Sequence, residues 1–185
     1  DIVNITVLKA GWAGLHIKNS SCTIFNSSFG APLAVYASRV YFTNTTALGL
    51  PCVTLESGRL EGGEYGYVVA LGGELEGVVT HGLSVYADGF RASDVTVPSS
   101  DVGVIICYSR GVSLDSVTVR EAEIGLSMDG CHDADIVNIT VLKAGWAGLS
   151  MDGCHDASLD SITVREAEIG LSMWNCTDAS LDSIT

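Results

Sequence analysis

The sequence predicts an all-β fold, a parallel β-solenoid of about nine coils, and three observations carry that prediction. The chain repeats itself. Residues 1–15, DIVNITVLKAGWAGL, recur without change at 135–149, and residues 113–134 recur at 158–179 with four changes in 22 positions. The repeated units read as strands, because Ser116-Val117-Thr118-Val119, Asn138-Ile139-Thr140-Val141 and Ser161-Ile162-Thr163-Val164 alternate polar with apolar residues and use strand formers. Turn residues separate them: Asp88-Gly89, Asp129-Gly130, Asp152-Gly153 and Trp174-Asn175.

Along the chain, Gly-Leu-Ser-Met marks one strand at 125–128, 148–151 and 170–173, at steps of 23 and 22 residues. Looser copies are Gly14-Leu15-His16-Ile17, Gly82-Leu83-Ser84-Val85 and Gly103-Val104-Ile105-Ile106. Between 17 and 82 the best candidates are Leu33-Ala34-Val35, Cys52-Val53-Thr54-Leu55 and Tyr67-Val68-Val69-Ala70. Leu60-Glu61-Gly62 and Leu75-Glu76-Gly77 repeat at a step of 15, which implies two shorter coils. Segment 164–169, Val-Arg-Glu-Ala-Glu-Ile, holds good helix formers but is too short to stand alone as a helix, so it reads as a short third strand or bend. Strands with no helix between them cannot build βαβ units. Stacked at the strand spacing, they place Ile162, Val164, Leu171 and Met173 in inward apolar columns.

Gly-Leu-Ser-Met, a polar turn, and then Ser-Leu-Asp-Ser-Ile-Thr-Val together resemble the right-handed parallel β-helix of the pectin-lyase-like superfamily. More narrowly, they resemble surface proteins with NosD-type β-helix repeats. The resemblance spans nearly the whole chain and implies one repeat domain over 1–185, either a mature form or a piece of something longer. It implies little about activity, since one fold hosts many. The superfamily's hydrolases carry an Asn-Thr-Asp strand, an Asp-Asp pair, a Gly-His-Gly and an Arg-x-Lys, and none of these strings occurs. Asp115, Asp160 and Asp182 share one repeat position and Asp133, Asp156 and Asp178 another. Any two coils would meet a glycosidase's carboxylate separation, so that geometry selects nothing. An active site is one asymmetric place, and the expectation is a chain that is not an enzyme, with no catalytic residues and no cofactor.

Composition narrows the partners. Nine basic against 22 acidic residues give a net charge of −13, which disfavours nucleic acid and anionic membranes. No apolar run reaches the 18 to 20 residues of a spanning helix, and no signal peptide opens the chain. The six cysteines form no Cys-x-x-Cys pair.

Asp-Gly-Cys-His-Asp at 129–133 and 152–156 offers soft sulfur and nitrogen donors. Stacking would align Met128, Met151 and Met173, and likewise Cys131, Cys154 and Cys176, with His132 beside His155. Thr177 replaces the third His, so core filling is the expected role and no metal is assigned. In-register Cα atoms about 4.8 Å apart lie within disulfide range, leaving both a Cys131–Cys154 bridge and a buried thiol ladder open. Asp94/Thr96, Ser116/Thr118, Asn138/Thr140, Ser161/Thr163 and Ser183/Thr185 form an outward ladder that resembles, with one pure rank, an ice-binding face.

All six asparagines sit in glycosylation sequons: Asn4, Asn19, Asn26, Asn44, Asn138 and Asn175. Ser and Thr are only 33 of 185 residues, so the agreement exceeds chance. The expectation is an extracellular, N-glycosylated cell-surface protein with a structural role in a filament, sheath or surface layer. One alternative is a carbohydrate-active or glycan-binding β-helix, for which Tyr36, Tyr41, Tyr65, Tyr67 and Tyr86 could supply exposed aromatics; ice binding is a remote one. The chain begins inside the strand unit at Asp1–Thr6 and ends inside it at Ser180–Thr185, with no visible cap. All three columns are expected to close with whole coils, so that a second copy stacks head to tail without a gap.

Overall fold

The computed structural model describes residues 1–10, 13, 15–30, 33–36, 39–47 and 53–185; Gly14, Cys52 and the side chain of Tyr36, named above, lie outside this description. The protein is an all-β parallel β-solenoid. Three parallel sheets run its length, with ten strands in sheet A and nine each in sheets B and C among the described residues. Each coil visits A, then B, then C, so sequence neighbours lie in different sheets and every ladder joins consecutive coils.

Identical sequence gives identical register. Leu126, Leu149 and Leu171 pair in turn, as do Met128, Met151 and Met173, and Thr96, Thr118, Thr140 and Thr163. The middle follows the same rule: Leu60 pairs with Leu75 and Glu61 with Glu76, while Leu33, Val53, Val68 and Leu83 continue the sheet C column. Segment 164–169 resolves differently in its two copies. In the interior copy it merges into one strand, Ala122–Asp129, whereas near the end the strand is Ile169–Trp174. The extra residue of the 23-residue coil is absorbed as a bulge where Ile124 pairs with Ala147.

One corner never varies. Two positions after the inward residue of every sheet A strand stands a residue with φ between 46° and 63°: Asn4, Asn26, Asn44, Gly62, Gly77, Asp94, Ser116, Asn138, Ser161 and Ser183. Each but the last donates its N–H to the residue preceding the corner in the next coil, as Asn4 does to Phe25 (3.2 Å) and Ser116 to Val137 (3.1 Å). The left-handed region admits Gly freely and Asn or Asp with little penalty, which explains the composition of this ladder.

Inside, the sheet A strands away from the last layer send apolar residues to the core. Ile24, Phe42, Leu60, Leu114 and Ile136 are fully buried, and Tyr65, Phe29 and Phe90 fill the width. Sheets B and C meet at Gly125, where a Cβ would stand 2.5 Å from the Gly148 carbonyl oxygen and from a Val141 methyl. Only glycine lets these layers approach so closely.

The expectation of gapless stacking fails on the tally of strands. The chain starts and ends on sheet A, and Thr185 adds a tenth rung to sheet B by bonding Ile162 and Val164. Among the described residues sheet C has no matching tenth strand. A second copy laid on the last sheet A strand would therefore leave one strand's height, about 4.8 Å, open on the face of sheet C.

Candidate functional site

The six sequon asparagines occupy two corners of the solenoid. Asn4, Asn26, Asn44 and Asn138 are rungs of the invariant A–B corner. Asn19 and Asn175 stand where sheet C turns toward sheet A, each following the last residue of a sheet C strand. All six have positive φ, from 46° to 56°. The Asn-x-Thr string thus has a second origin in the backbone: a left-handed corner followed by an outward sheet B residue. The sequence shows this ladder but not its backbone cause: Asp94-Val95-Thr96, Ser116-Val117-Thr118 and Ser161-Ile162-Thr163 occupy the same rungs without asparagine. At the fourth of these sites, the Asn138 amide Nδ2 donates to Asp115 Oδ1 (3.1 Å) and Ser116 Oγ donates to the same oxygen (2.9 Å). These bonds, the Asn138 one foremost, hold the Asp115 carboxyl below its ordinary value.

Cys131, Cys154 and Cys176 form the inward column that the repeats imply, and all are free thiols in the structure. Cys131 and Cys154 are buried, each thiol donating to a nearby backbone carbonyl at 3.4 Å. The neighbouring Cys131 thiol, together with burial, pushes Cys154 upward. A thiol held protonated is a poor nucleophile.

His132 and His155 stack outward on the same corner, centroids 5.0 Å apart, and His155 Nδ1 shares a 2.5 Å hydrogen bond with Thr177 Oγ1. Among the described residues no group of three or more His, Cys, Asp or Glu side chains is placed to hold a metal ion. Beside the histidines, the Tyr108 hydroxyl donates to the Asp129 carboxylate, and this bond pushes the phenol's titration upward. Among the described residues Tyr108 and Trp174 are the most exposed aromatic side chains, while Tyr65, counted among the candidate exposed aromatics, is wholly buried. Their spacing of 66 positions hid them from sequence reading; the register brings them to one edge.

Two hollows open on the described surface. On sheet A, a hollow of about 240 Å³ lies over Ala92 and Ser93, walled by Arg59, Glu74, Glu76, Arg91 and Asp115. Arg59, Glu74 and Arg91 are cross-strand partners, and Arg59 also pairs with Glu76, so opposite charges alternate along the ladder. On sheet C, a hollow of about 400 Å³ opens where the 15-residue coils give way to longer ones, lined by Tyr67, His81, Ser100, Asp101 and Ile105. His81 lies 3.5 Å from Glu64, but the Ser100 hydroxyl donates to the Val102 carbonyl (2.8 Å). Tyr67 and Ser84 share a 2.7 Å hydrogen bond.

Compared with protein-family models, with curated proteins and with solved structures, the chain shows no match in any of the three. The solenoid therefore stands on its own register.

Proposed function

We propose that the protein is a non-enzymatic structural solenoid of the cell exterior, a component of a filament, sheath or surface layer whose units join edge to edge. The observation that supports this most is what happens to the inward columns at the terminal layers. In one column Val78, Val95, Val117, Ile139 and Ile162 are at most 1% exposed, yet Ile5 and Ile184 at its two ends are 42% and 38% exposed. In another, Leu159 is buried and Leu181 is 44% exposed. Apolar side chains and unpaired strand edges in the same layer invite a further solenoid layer, either a continuation of the chain or a second copy. A heterologous contact of this kind propagates as a fibre rather than closing into a dimer.

An exterior location is supported by the acidic charge, which keeps a repetitive sheet protein soluble, and by the six sequons. Asn4, Asn26 and Asn44 occupy successive rungs about 4.8 Å apart, too close for three bulky glycans to stand side by side. Occupancy at alternate rungs is the expected pattern.

Light scattering and electron microscopy of the chain at rising concentration test the assembly. Filaments, or mass growing with concentration, are expected; a monomer at all concentrations, from native material whose intact mass ends at these termini, overturns it. Intact mass before and after deglycosylation tests the location, and an unmodified native mass rejects the glycoprotein reading.

A further inference from the structure

One edge of the solenoid carries a row of aromatic side chains that no core packing explains. Ala70 and Val85 are cross-strand partners, so Leu71 and Tyr86, the residues that follow them, continue one outward column. Cys107, Asp129, Asp152 and Trp174 extend it coil by coil. Tyr86 is 49% exposed, Trp174 69%, and Tyr108, the residue after Cys107, 77%.

The sequence between the aromatics keeps the edge low. Tyr108 has φ 49° and its ring overhangs Gly130, where a Cβ would lie 2.8 Å from the ring. At Gly153, one rung on, a Cβ would meet only the backbone of Gly130, at 3.9 Å. With Gly130 under the Tyr108 ring, an open saddle floored by Gly153 follows on the side of Trp174, with the carboxylates of Asp129 and Asp152 beside it. Tyr86 and Trp174 are four rungs apart, about 19 Å along the axis.

We infer that this edge binds a polysaccharide without acidic groups, laid along the solenoid axis. The C–H face of a pyranose stacks on Tyr86, Tyr108 and Trp174, as apolar faces do on aromatic rings. Sugar hydroxyls, or a protonated amine of an amino sugar, donate to Asp129 and Asp152 in charge-assisted bonds. Charge selects the class: Asp88, Asp129, Asp133, Asp152 and Asp156 outnumber Arg110 along this corner, so an acidic polymer is repelled. Binding here does not depend on edge-to-edge assembly.

The test is affinity electrophoresis of the full chain through gels holding hydroxyethyl cellulose, glycol chitosan or polygalacturonate. Retardation by at least one of the first two is expected, and none by polygalacturonate. Tyr108→Ala and Trp174→Ala should each weaken binding about tenfold, while Tyr108→Phe and Trp174→Tyr, which keep a ring, retain it. Tyr41→Ala, an exposed tyrosine on sheet A, serves as the control and should leave binding unchanged. Circular dichroism confirms that each variant keeps its strands. No retardation by either non-acidic polymer, stronger retardation by polygalacturonate, or an equal loss in Tyr41→Ala overturns the inference.

Discussion

The coils between 60 and 75 and those between 114 and 159 solve the same packing problem with different amounts of chain. From Leu60 to Leu75, its partner in the next coil, is 15 positions; from Leu114 to Ile136 is 22 and from Ile136 to Leu159 is 23. The difference falls on two connections only. Leu60 to Tyr65 and Leu114 to Val119, each running from sheet A to sheet B, are both five positions. Tyr65 to Val68 takes three positions and Val119 to Leu126 takes seven, so passage from B to C is elastic. The left-handed corner fixes the frame, and loops elsewhere absorb insertions.

If that frame is shared, a core deletion should cost the same in both regions. Leu60→Ala and Leu114→Ala each remove a fully buried side chain from the same sheet A column. Each is expected to destabilise the protein by about 2–5 kcal/mol in denaturant unfolding. A cost well under half as large at Leu60 would mean that the short coils are held by something other than this column.

The corner itself gives the next effect in size. Ser116→Val puts a β-branched residue at φ 57° and should cost about 1–2 kcal/mol, while Ser116→Gly should be close to neutral. In contrast, inserting one residue between Glu121 and Leu126 imitates the 23-residue coil and its bulge. That insertion should shift the midpoint less than Ser116→Val does, and the reverse order would break the distinction between a rigid corner and elastic loops.

The smallest effect concerns pH. The Asp115 carboxyl is held low by Asn138 and Ser116, so its stabilising contribution is complete above the ordinary aspartate value, about 3.9, and fades as pH falls through the lower folded value. Asn138→Ala should move the Asp115 titration, followed by NMR, back upward. An unchanged titration would show that the bond between these rungs contributes nothing.

The fold was legible wherever the chain copies itself, since identical strings must take identical registers. Even the 15-residue coils could be read, from Leu-Glu-Gly repeated at the right step. The corner was not, because Asn, Asp, Ser and Gly share a backbone preference and no letter, and in sequence they look like ordinary strand alternation. The polar-x-Thr strand pattern, visible in the sequence, accounts for part of the excess of sequons, and the left-handed corner supplies its backbone cause for Asn4, Asn26, Asn44 and Asn138. Tyr86, Tyr108 and Trp174 follow no period, and Trp174 replaces the aspartate of its column, so only the register could bring them together.

The two coil lengths also give the molecule a mechanical signature. Pulled by its ends along the axis, a parallel solenoid peels one coil at a time, because each layer bonds only to its neighbours. A 15-residue coil releases about 5 nm of extended chain and a 22-residue coil about 8 nm. The order of long and short extensions under force would read out the order of coils in the sequence, one layer after another.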